Sequence, residues 1–373
     1  MNNLSNILQR DFENILNMTC IRWELLANKT ILITGANGLI GSNIINTIIY
    51  ANETRKYNIK IVAVVRNIDK TLKKLFCWQL DNEKQWIATP LLEANNNVYN
   101  KTSNSITFIT SDIVDFKEVD ENIDYIIHAA NPTSSKFFVQ NPVETIDTSI
   151  SGTNNLLEIA KKKRVKCFIF LSSMEIYGYP KKGEIITEDY MSGFDSLKTR
   201  NCYPLAKKIC ECLCNAYFTE YEVPIKIVRL TQTFGPGVEY DDGRIFAELM
   251  RCAIEKRDIV LKSKGETERC YLYTADAVSA ILTLLLNGEN GEAYNAANPE
   301  TYCSIAEMAR LVADQLSDKT IKVTYQIEDI QKLGYADTLF MKLDITKLKR
   351  LGWKPQYNLI SMFKNMLITS TSK

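Results

Sequence analysis

The chain has 373 residues, 46% apolar and 24% charged, enough to bury the core of two domains or of one large one. Its 45 basic and 44 acidic side chains nearly cancel, so no overall field draws it to nucleic acid or an anionic membrane, although a local pocket for a phosphorylated ligand stays open. A single histidine, His128, excludes a multi-histidine metal site and leaves a Ser-His-Asp hydrolase one imidazole to work with, so no metal is expected.

From the N-terminus, Leu4, Ile7, Leu8, Phe12, Ile15 and Leu16 recur near the helical period. Residues 1–28 therefore read as an amphipathic helix packed on the domain, an N-terminal extension covering 1–29; a partner-binding arm is the other reading of that stripe. Thr30–Thr34 is a short β-branched run, predicted as a buried strand, with a helix over Ile40–Tyr50 after the glycine-containing loop. Lys60–Val65 predicts a strand, Thr71–Leu80 a helix, and Asn95–Ser105 a polar loop. Strands are predicted at Ile106–Ile109, Tyr125–Ala129, Cys167–Leu171 and Ile225–Leu230, and helices at Pro142–Lys163 and Tyr203–Tyr221. Such alternation predicts an α/β chain with a Rossmann-type doubly wound parallel sheet. That domain spans 30–232 with a return segment near 273–286. The pattern weakens after about residue 235, and 233–373 is predicted to form mainly a smaller C-terminal α/β substrate lobe.

No run approaches the roughly 20 apolar residues that cross a bilayer. With ten cysteines and no secretory pattern at the N-terminus, the thiols are expected to be reduced and the location cytoplasmic. Cys210, Cys212 and Cys214 are two residues apart, so on a helix they face different sides and cannot converge on one ion.

The loop Thr34–Gly41 carries the first chemistry. Gly35 permits a tight turn, Gly38 lets backbone approach a pyrophosphate, and Gly41 lets the helix pack closely, while Asn37, Leu39 and Ile40 bring N–H groups and the positive helix end to the phosphates. The second predicted strand ends in Val65-Arg66-Asn67, where an acid favours a free ribose hydroxyl and an arginine accommodates a 2′-phosphate. Arg66 leaves NAD against NADP open. Asp112 ends the third strand, placed for the adenine amino group, with Ile113 beside it.

Tyr203 and Lys207 are four apart, on one helix face. An ammonium beside the phenol is expected to lower its pKa, making a base that takes a proton from a hydroxyl as hydride leaves carbon. Ser172 or Ser173, ending the fifth strand, supplies a hydroxyl to orient substrate and phenol.

With these motifs the chain resembles the extended short-chain dehydrogenase/reductases, NAD-dependent enzymes acting on nucleotide-linked sugars and including epimerases, dehydratases and UDP-glucuronate decarboxylase-like members. The resemblance runs through Thr34–Gly41, Ser111-Asp112-Ile113, His128-Ala129-Ala130, Ser172 to Gly178, Tyr203–Lys207, Arg229 to Pro236 and Arg269 to Tyr273. It implies a Ser173, Tyr203 and Lys207 catalytic trio, Ala129 and Ala130 along the cofactor, a structural role for His128, and a nucleotide-diphosphate sugar as substrate. Ser134, Ser173, Gln232 and Arg269 are its implied substrate contacts. Gln232 stands where the family usually has asparagine. The resemblance also implies a homodimer through the helices Pro142–Lys163 and Tyr203–Tyr221.

The shared first step in such enzymes oxidises the sugar at C4, which acidifies C5 and eases loss of a C6 carboxylate. Glu175 is the discriminating residue: similar dehydratases and decarboxylases tend to carry glutamate there, epimerases small residues. Met174 stands where a common dehydratase type has a proton-donating aspartic acid. Decarboxylation of a nucleotide uronic acid therefore ranks first, then 4-epimerisation, then 4,6-dehydration; net reduction of a keto sugar and a non-catalytic dinucleotide sensor are the remaining readings.

Overall fold

The computed structural model describes residues 2–80, 86–91, 105–317, 319–328 and 337–371. Seven parallel strands form the central sheet: β1 (Thr30–Thr34), β2 (Lys60–Val65), β3 (Ile106–Thr110), β4 (Tyr125–His128), β5 (Cys167–Ser173), β6 (Ile225–Leu230) and β7 (Glu292–Ala296). Their order is β3-β2-β1-β4-β5-β6-β7, with every neighbouring pair parallel. The chain leaves β1 in one direction for β2 and later returns to place β4 on its other side. This reversal opens a crevice at the carboxyl ends of β1 and β4, where ligands bind in open α/β sheets.

The strands are apolar along their length because both faces are covered. Ile31 and Ile33 of β1 join one core with Ile44, Ile45 and Ile48 of the helix Leu39–Arg55 and with Val278 and Ile281 of the helix Thr274–Asn287. Leu32 between them points into the opposite core, with Leu156 and Ile159 of Pro142–Lys163 and Cys210 and Cys214 of Cys202–Tyr221. The period-two alternation of a strand thus distributes one run of five residues over two cores.

A second, five-stranded sheet lies beyond the carboxyl ends. Gln232–Phe234, Glu268–Tyr273, Phe340–Leu343 and Ile185–Ile186 run parallel in that order, and Asn298–Ser304 pairs antiparallel with Glu268–Tyr273. The chain crosses repeatedly between the sheets: Ile185–Ile186 leaves the first before β6, and β7 returns to it after the second has begun.

Some elements differ from the sequence expectation. The helix expected over 71–80 is a short helix Ile68–Leu72 followed by a strand, Phe76–Leu80, paired antiparallel with Trp86–Pro90. Aromatic residues suit a pleated, half-buried surface, and Trp78 is buried edge-on against Phe12 and Tyr50. The Asn-rich loop lies, up to residue 104, outside the described residues.

The N-terminal stripe is buried: the helix Asn2–Leu16 inserts Ile7, Leu8, Phe12 and Ile15, and a 3₁₀ turn comes next at Trp23–Leu26. Its polar anchor is Asp11, also buried, which accepts the Tyr273 hydroxyl at 2.6 Å, the Tyr357 hydroxyl at 2.7 Å and Arg10 Nη2 at 3.0 Å. Burial pushes its carboxyl pKa up, against those hydrogen bonds. Tyr273 ends the strand that carries Arg269, so this helix buttresses the second sheet.

Candidate active site

β1 delivers the chain into Gly35 at φ +64°, a conformation that costs a side-chain-bearing residue energy. A Cβ on Gly35 would lie 2.7 Å from the Ala129 carbonyl group, and one on Gly41 would lie 2.3 Å from the Gly35 oxygen. Close packing of the first turn is therefore against the loop itself, and Ala129 lies directly beside Gly35. Gly38 is exposed and precedes the helix Leu39–Arg55 with no side chain capping it. Leu39 and Ile40 begin that helix half-buried, leaving first-turn N–H groups for an anion. This glycine cradle fits a dinucleotide pyrophosphate. Lys74 Nζ donates to the Asn37 carbonyl at 3.0 Å and pairs with Glu239 Oε1 at 2.7 Å, tying the loop to the segment after Gly235.

His128 is structural. Its Nδ1 lies 2.9 Å from Thr34 Oγ1 and its Nε2 3.1 Å from Thr153 Oγ1, joining β1, β4 and the helix Pro142–Lys163. Burial, with Lys207 nearby, lowers its pKa to about 3, so the ring is neutral. Thr34 Oγ1 also accepts the Ala130 N–H at 3.2 Å, which fixes the backbone at the crevice.

Just after β2, Arg66 is exposed and lies 3.9 Å from Asp112 Oδ2. Asp112 Oδ1 accepts the Val114 N–H at 3.1 Å. Ile113 is buried, and its side chain packs where Gly152 has no Cβ.

The end of β5 separates the two serines. Ser173 Oγ accepts the Glu175 N–H at 3.1 Å and faces the Tyr203 phenol, whose proton it helps release, whereas Ser172 Oγ is buried on the opposite face with no partner among the described residues. The 3₁₀ turn Met174–Tyr177 then sends its first two side chains apart. Met174 is buried, with its sulfur 3.2 Å from Thr231 Oγ1. Glu175 faces a cavity that it lines with Gly178, Tyr179, Phe194, Arg200, Asn201, Pro204 and Leu339.

Tyr203 and Lys207 lie on one face of the helix Cys202–Tyr221, both buried. Lys207 Nζ donates to the Leu171 carbonyl at 2.7 Å and stands 6.0 Å from the centre of the Tyr203 ring. In the amide orientation that satisfies both its ends, Asn131 also accepts from this ammonium, at 3.3 Å. Burial lowers the Lys207 pKa to about 8. The phenol behaves contrary to the expected lowering: burial, helped by Glu175, holds it above its ordinary range, against the pull of Ser173, Arg200 and Arg244. At this distance the lysine is committed to a carbonyl, and desolvation outweighs its field.

Two neighbours of Tyr203 escaped the sequence reading. Phe138, in the helix Ser135–Gln140, stacks flat on the phenol ring at 4.3 Å and 6°. Arg200 Nη2 pairs with Glu175, 3.1 Å from Oε2 and 3.3 Å from Oε1, and its guanidinium lies 5.1 Å over the Phe138 ring. Arg200 comes three residues before Tyr203, a helical spacing that was its available signal. Ser134 is exposed at the start of the Phe138 helix, and it is Ser135 Oγ that accepts from Arg200, at 3.3 Å.

Gln232 and Arg269 lie on the second sheet. Register sets Gln232 beside Tyr271, and strand alternation puts Arg269 on the same face. Gln232 Oε1 and Arg269 Nε are buried with no hydrogen-bond partner among the described residues. Of the cysteine triplet, Cys210 and Cys214 are buried and Cys212 is exposed, and no metal-binding cluster occurs among the described residues.

The pattern of the NAD dependent epimerase/dehydratase family matches residues 31–297. UDP-glucuronic acid decarboxylase 6 of Arabidopsis thaliana is 30% identical over 337 residues, covering 89% of this chain and 86% of that protein. UDP-glucuronic acid decarboxylase 1 of Xenopus tropicalis is 28% identical, covering 88% and 68%. Among solved structures, UDP-glucose 4-epimerase of Thermotoga maritima with UDP-glucose superposes at TM-score 0.72 and 21% identity, covering 92% of this chain and 99% of that one. UDP-glucuronic acid 4-epimerase of Bacillus cereus with NAD gives 0.67 and 21%, with the same coverage.

Proposed function

This chain belongs to the NAD dependent epimerase/dehydratase family, and on that premise we propose that it decarboxylates a UDP-linked uronic acid through transient oxidation at C4. The observation that carries this reading is the divergence at the turn after β5. Met174 is turned into the core, so no acid stands there to protonate a leaving C6 hydroxyl, while Glu175 turns outward into a small cavity that it lines with Arg200 and Pro204. Relatives over most of the chain that are UDP-glucuronic acid decarboxylases support the same choice.

The cofactor is NAD, held by Gly35, Asn37, Gly38, Leu39, Ile40 and Gly41 at the pyrophosphate, by Arg66, Asp112 and Ile113 around the adenosine, and by Ala129, Ala130, Tyr203 and Lys207 toward the nicotinamide. Bound there, the dinucleotide would supply reversible hydride chemistry at sugar C4, and its positive ring would favour the phenolate of Tyr203. Ser173 and Tyr203 hold the C4 hydroxyl, and Tyr203 takes its proton. The C5–C6 bond of the resulting β-keto acid breaks, carbon dioxide leaves, and the electron pair stays on the sugar as an enolate. Glu175 directs the proton that C5 then receives, and Tyr203 returns its own to the C4 oxygen. Gln232 and Arg269 hold the diphosphate end, Arg269 through its guanidinium fork, and Ser134 closes the sugar end.

The same proposal divides the chain into a dinucleotide domain, 30–232 with 273–286, and a substrate lobe, mainly 233–373. It makes the protein a cytoplasmic homodimer. Its ten cysteines are unpaired, and no described helix is long and apolar enough to cross a membrane. Val143 and Ile146 of the helix Pro142–Lys163 and Ile209 of Cys202–Tyr221 are exposed where a second copy would pair.

The test is a panel of UDP, dTDP and GDP sugars, with products followed by mass and NMR. Carbon dioxide and a pentose-linked nucleotide from UDP-glucuronate are expected. An isobaric C4 epimer as the sole product would replace the decarboxylase with an epimerase.

A further inference from the structure

We propose that Asp11 is a positioning residue: through the Tyr273 phenol it sets the two strands that carry Arg269 and Gln232, and with them the affinity for the nucleotide diphosphate. The inference rests on the reading above that those two side chains hold the diphosphate, and it names what aligns them. Gln232–Phe234 and Glu268–Tyr273 run parallel in register and end together, with Phe234 beside Tyr273. The Tyr273 ring closes that end. A Cβ on Gly235, just past Phe234, would lie 2.8 Å from its Cε2. A shift of this ring therefore moves both strand ends. Gln232 Oε1 and Arg269 Nε, buried with no hydrogen-bond partner among the described residues, are the groups whose aim changes.

The phenol of Tyr273 is held from two sides. It donates to Asp11 at 2.6 Å and accepts from Asn365 Nδ2 at 2.9 Å, all three side chains being buried. Asp11 stands on a helix that is fixed elsewhere as well. Phe12 lies 5.8 Å from the rings of both Tyr50 and Trp78, and Glu13 Oε1 accepts the Tyr50 hydroxyl at 2.6 Å. Tyr50 belongs to the helix Leu39–Arg55, which follows the glycine loop. The helix Asn2–Leu16 is thus a strut from that helix to the end of the strand carrying Arg269. The family pattern spans 31–297, so it includes Tyr273 but neither Asp11 nor Asn365. Without the carboxylate, the buried phenols of Tyr273 and Tyr357 lose their acceptor. An unsatisfied buried donor is costly, so the Tyr273 ring turns toward another partner and the strand ends follow.

The test measures UDP affinity by calorimetry on the NAD-loaded enzyme, with kcat and KM for UDP-glucuronate and unfolding in urea alongside. Asp11→Ala should weaken UDP about tenfold and raise KM to match, with kcat changed less than about threefold, a size of effect that packed side chains transmit. Asp11→Asn keeps one acceptor and should recover part of the loss. Tyr273→Phe should weaken UDP equally, and the double variant no more than either single one, because both remove the same bond. Tyr357→Phe removes a bond of Asp11 but none of the strand's, so it should lower stability while UDP affinity holds within about twofold. Unchanged UDP affinity in Asp11→Ala, or an equal loss in Tyr357→Phe, overturns the inference. Should Asp11→Ala not fold, Asp11→Asn and Tyr273→Phe carry the comparison. If Arg269→Gln leaves UDP affinity unchanged, the diphosphate reading falls and takes the inference with it. If Arg269→Gln weakens UDP while Asp11→Ala does not, the positioning role falls alone.

Discussion

At the proposed pyrophosphate end of the crevice the surface is one loop of backbone, Gly35 to Gly41, clamped between Ala129 and its own first turn. At the proposed sugar end it is a set of side chains from separate segments: Phe138 from one helix, Ser173 and Glu175 from the end of β5, Arg200 and Tyr203 from around the start of another helix. The first surface leaves almost no room for substitution, because its neighbours are backbone atoms. The second is a network of ion pairs and ring contacts, in which one partner can be exchanged while the scaffold stays. A fold that fixes the cofactor by backbone and the sugar by side chains can keep one redox step and vary the bond broken after it.

The sharpest break between the two ends is at the phenol. Tyr203→Phe should lower turnover about 10²- to 10⁴-fold while most of the NAD, held chiefly at the glycine loop, is retained, as read by absorbance of the denatured protein. Loss of cofactor in that variant would mean the two ends are not separable. Next in size is Gly35→Ala, which meets Ala129 backbone and a left-handed φ. It should cost on the order of 1–3 kcal/mol and weaken NAD binding at least tenfold, measured by fluorescence titration. A wild-type affinity there would deny the loop its role.

His128 is buried between β1, β4 and the helix Pro142–Lys163. Because burial keeps it neutral in the folded state, down to about pH 3, the unfolded chain takes up a proton first as pH falls through 6.5. Its contribution is present above pH 6.5 and is lost progressively toward pH 3. His128→Phe should cost about 1–3 kcal/mol at pH 7, and its stability should fall less steeply than wild type between pH 6.5 and 4 in urea titrations. Parallel pH curves would show that the imidazole does not titrate on unfolding. The smallest effect concerns Lys207, whose pKa burial lowers to about 8. Activity should decline above that pH as the ammonium is lost, and Lys207→Arg, always charged, should carry the decline upward. A plateau through pH 9.5 in wild type would remove the requirement for charge at that position.

Much of the scaffold was legible because it is written locally. Thr30–Thr34 is a β-branched run and is β1; Gly35, Gly38 and Gly41 are spaced for a turn into a helix, and that turn is present. The segment 71–80 was misread because Phe76, Cys77 and Trp78 fit either period until a pairing partner at Trp86–Pro90 appears. Asp11 gave no sign of being the anchor between two tyrosines because both lie more than 260 residues away in the chain.

By itself the sequence determined the alternating sheet, the phosphate loop and the Tyr203–Lys207 pair, since each depends on neighbours within one strand, turn or helix. Tertiary structure alone decided that Ser173 rather than Ser172 meets the phenol, that Met174 turns inward while Glu175 turns out, that Phe138 comes to lie on Tyr203, and that Arg200 pairs with Glu175. Those choices depend on how distant elements pack and which groups they desolvate. Burial also reversed the expected direction of the phenol, because its cost at Tyr203 exceeds the pull of a lysine bound to a carbonyl.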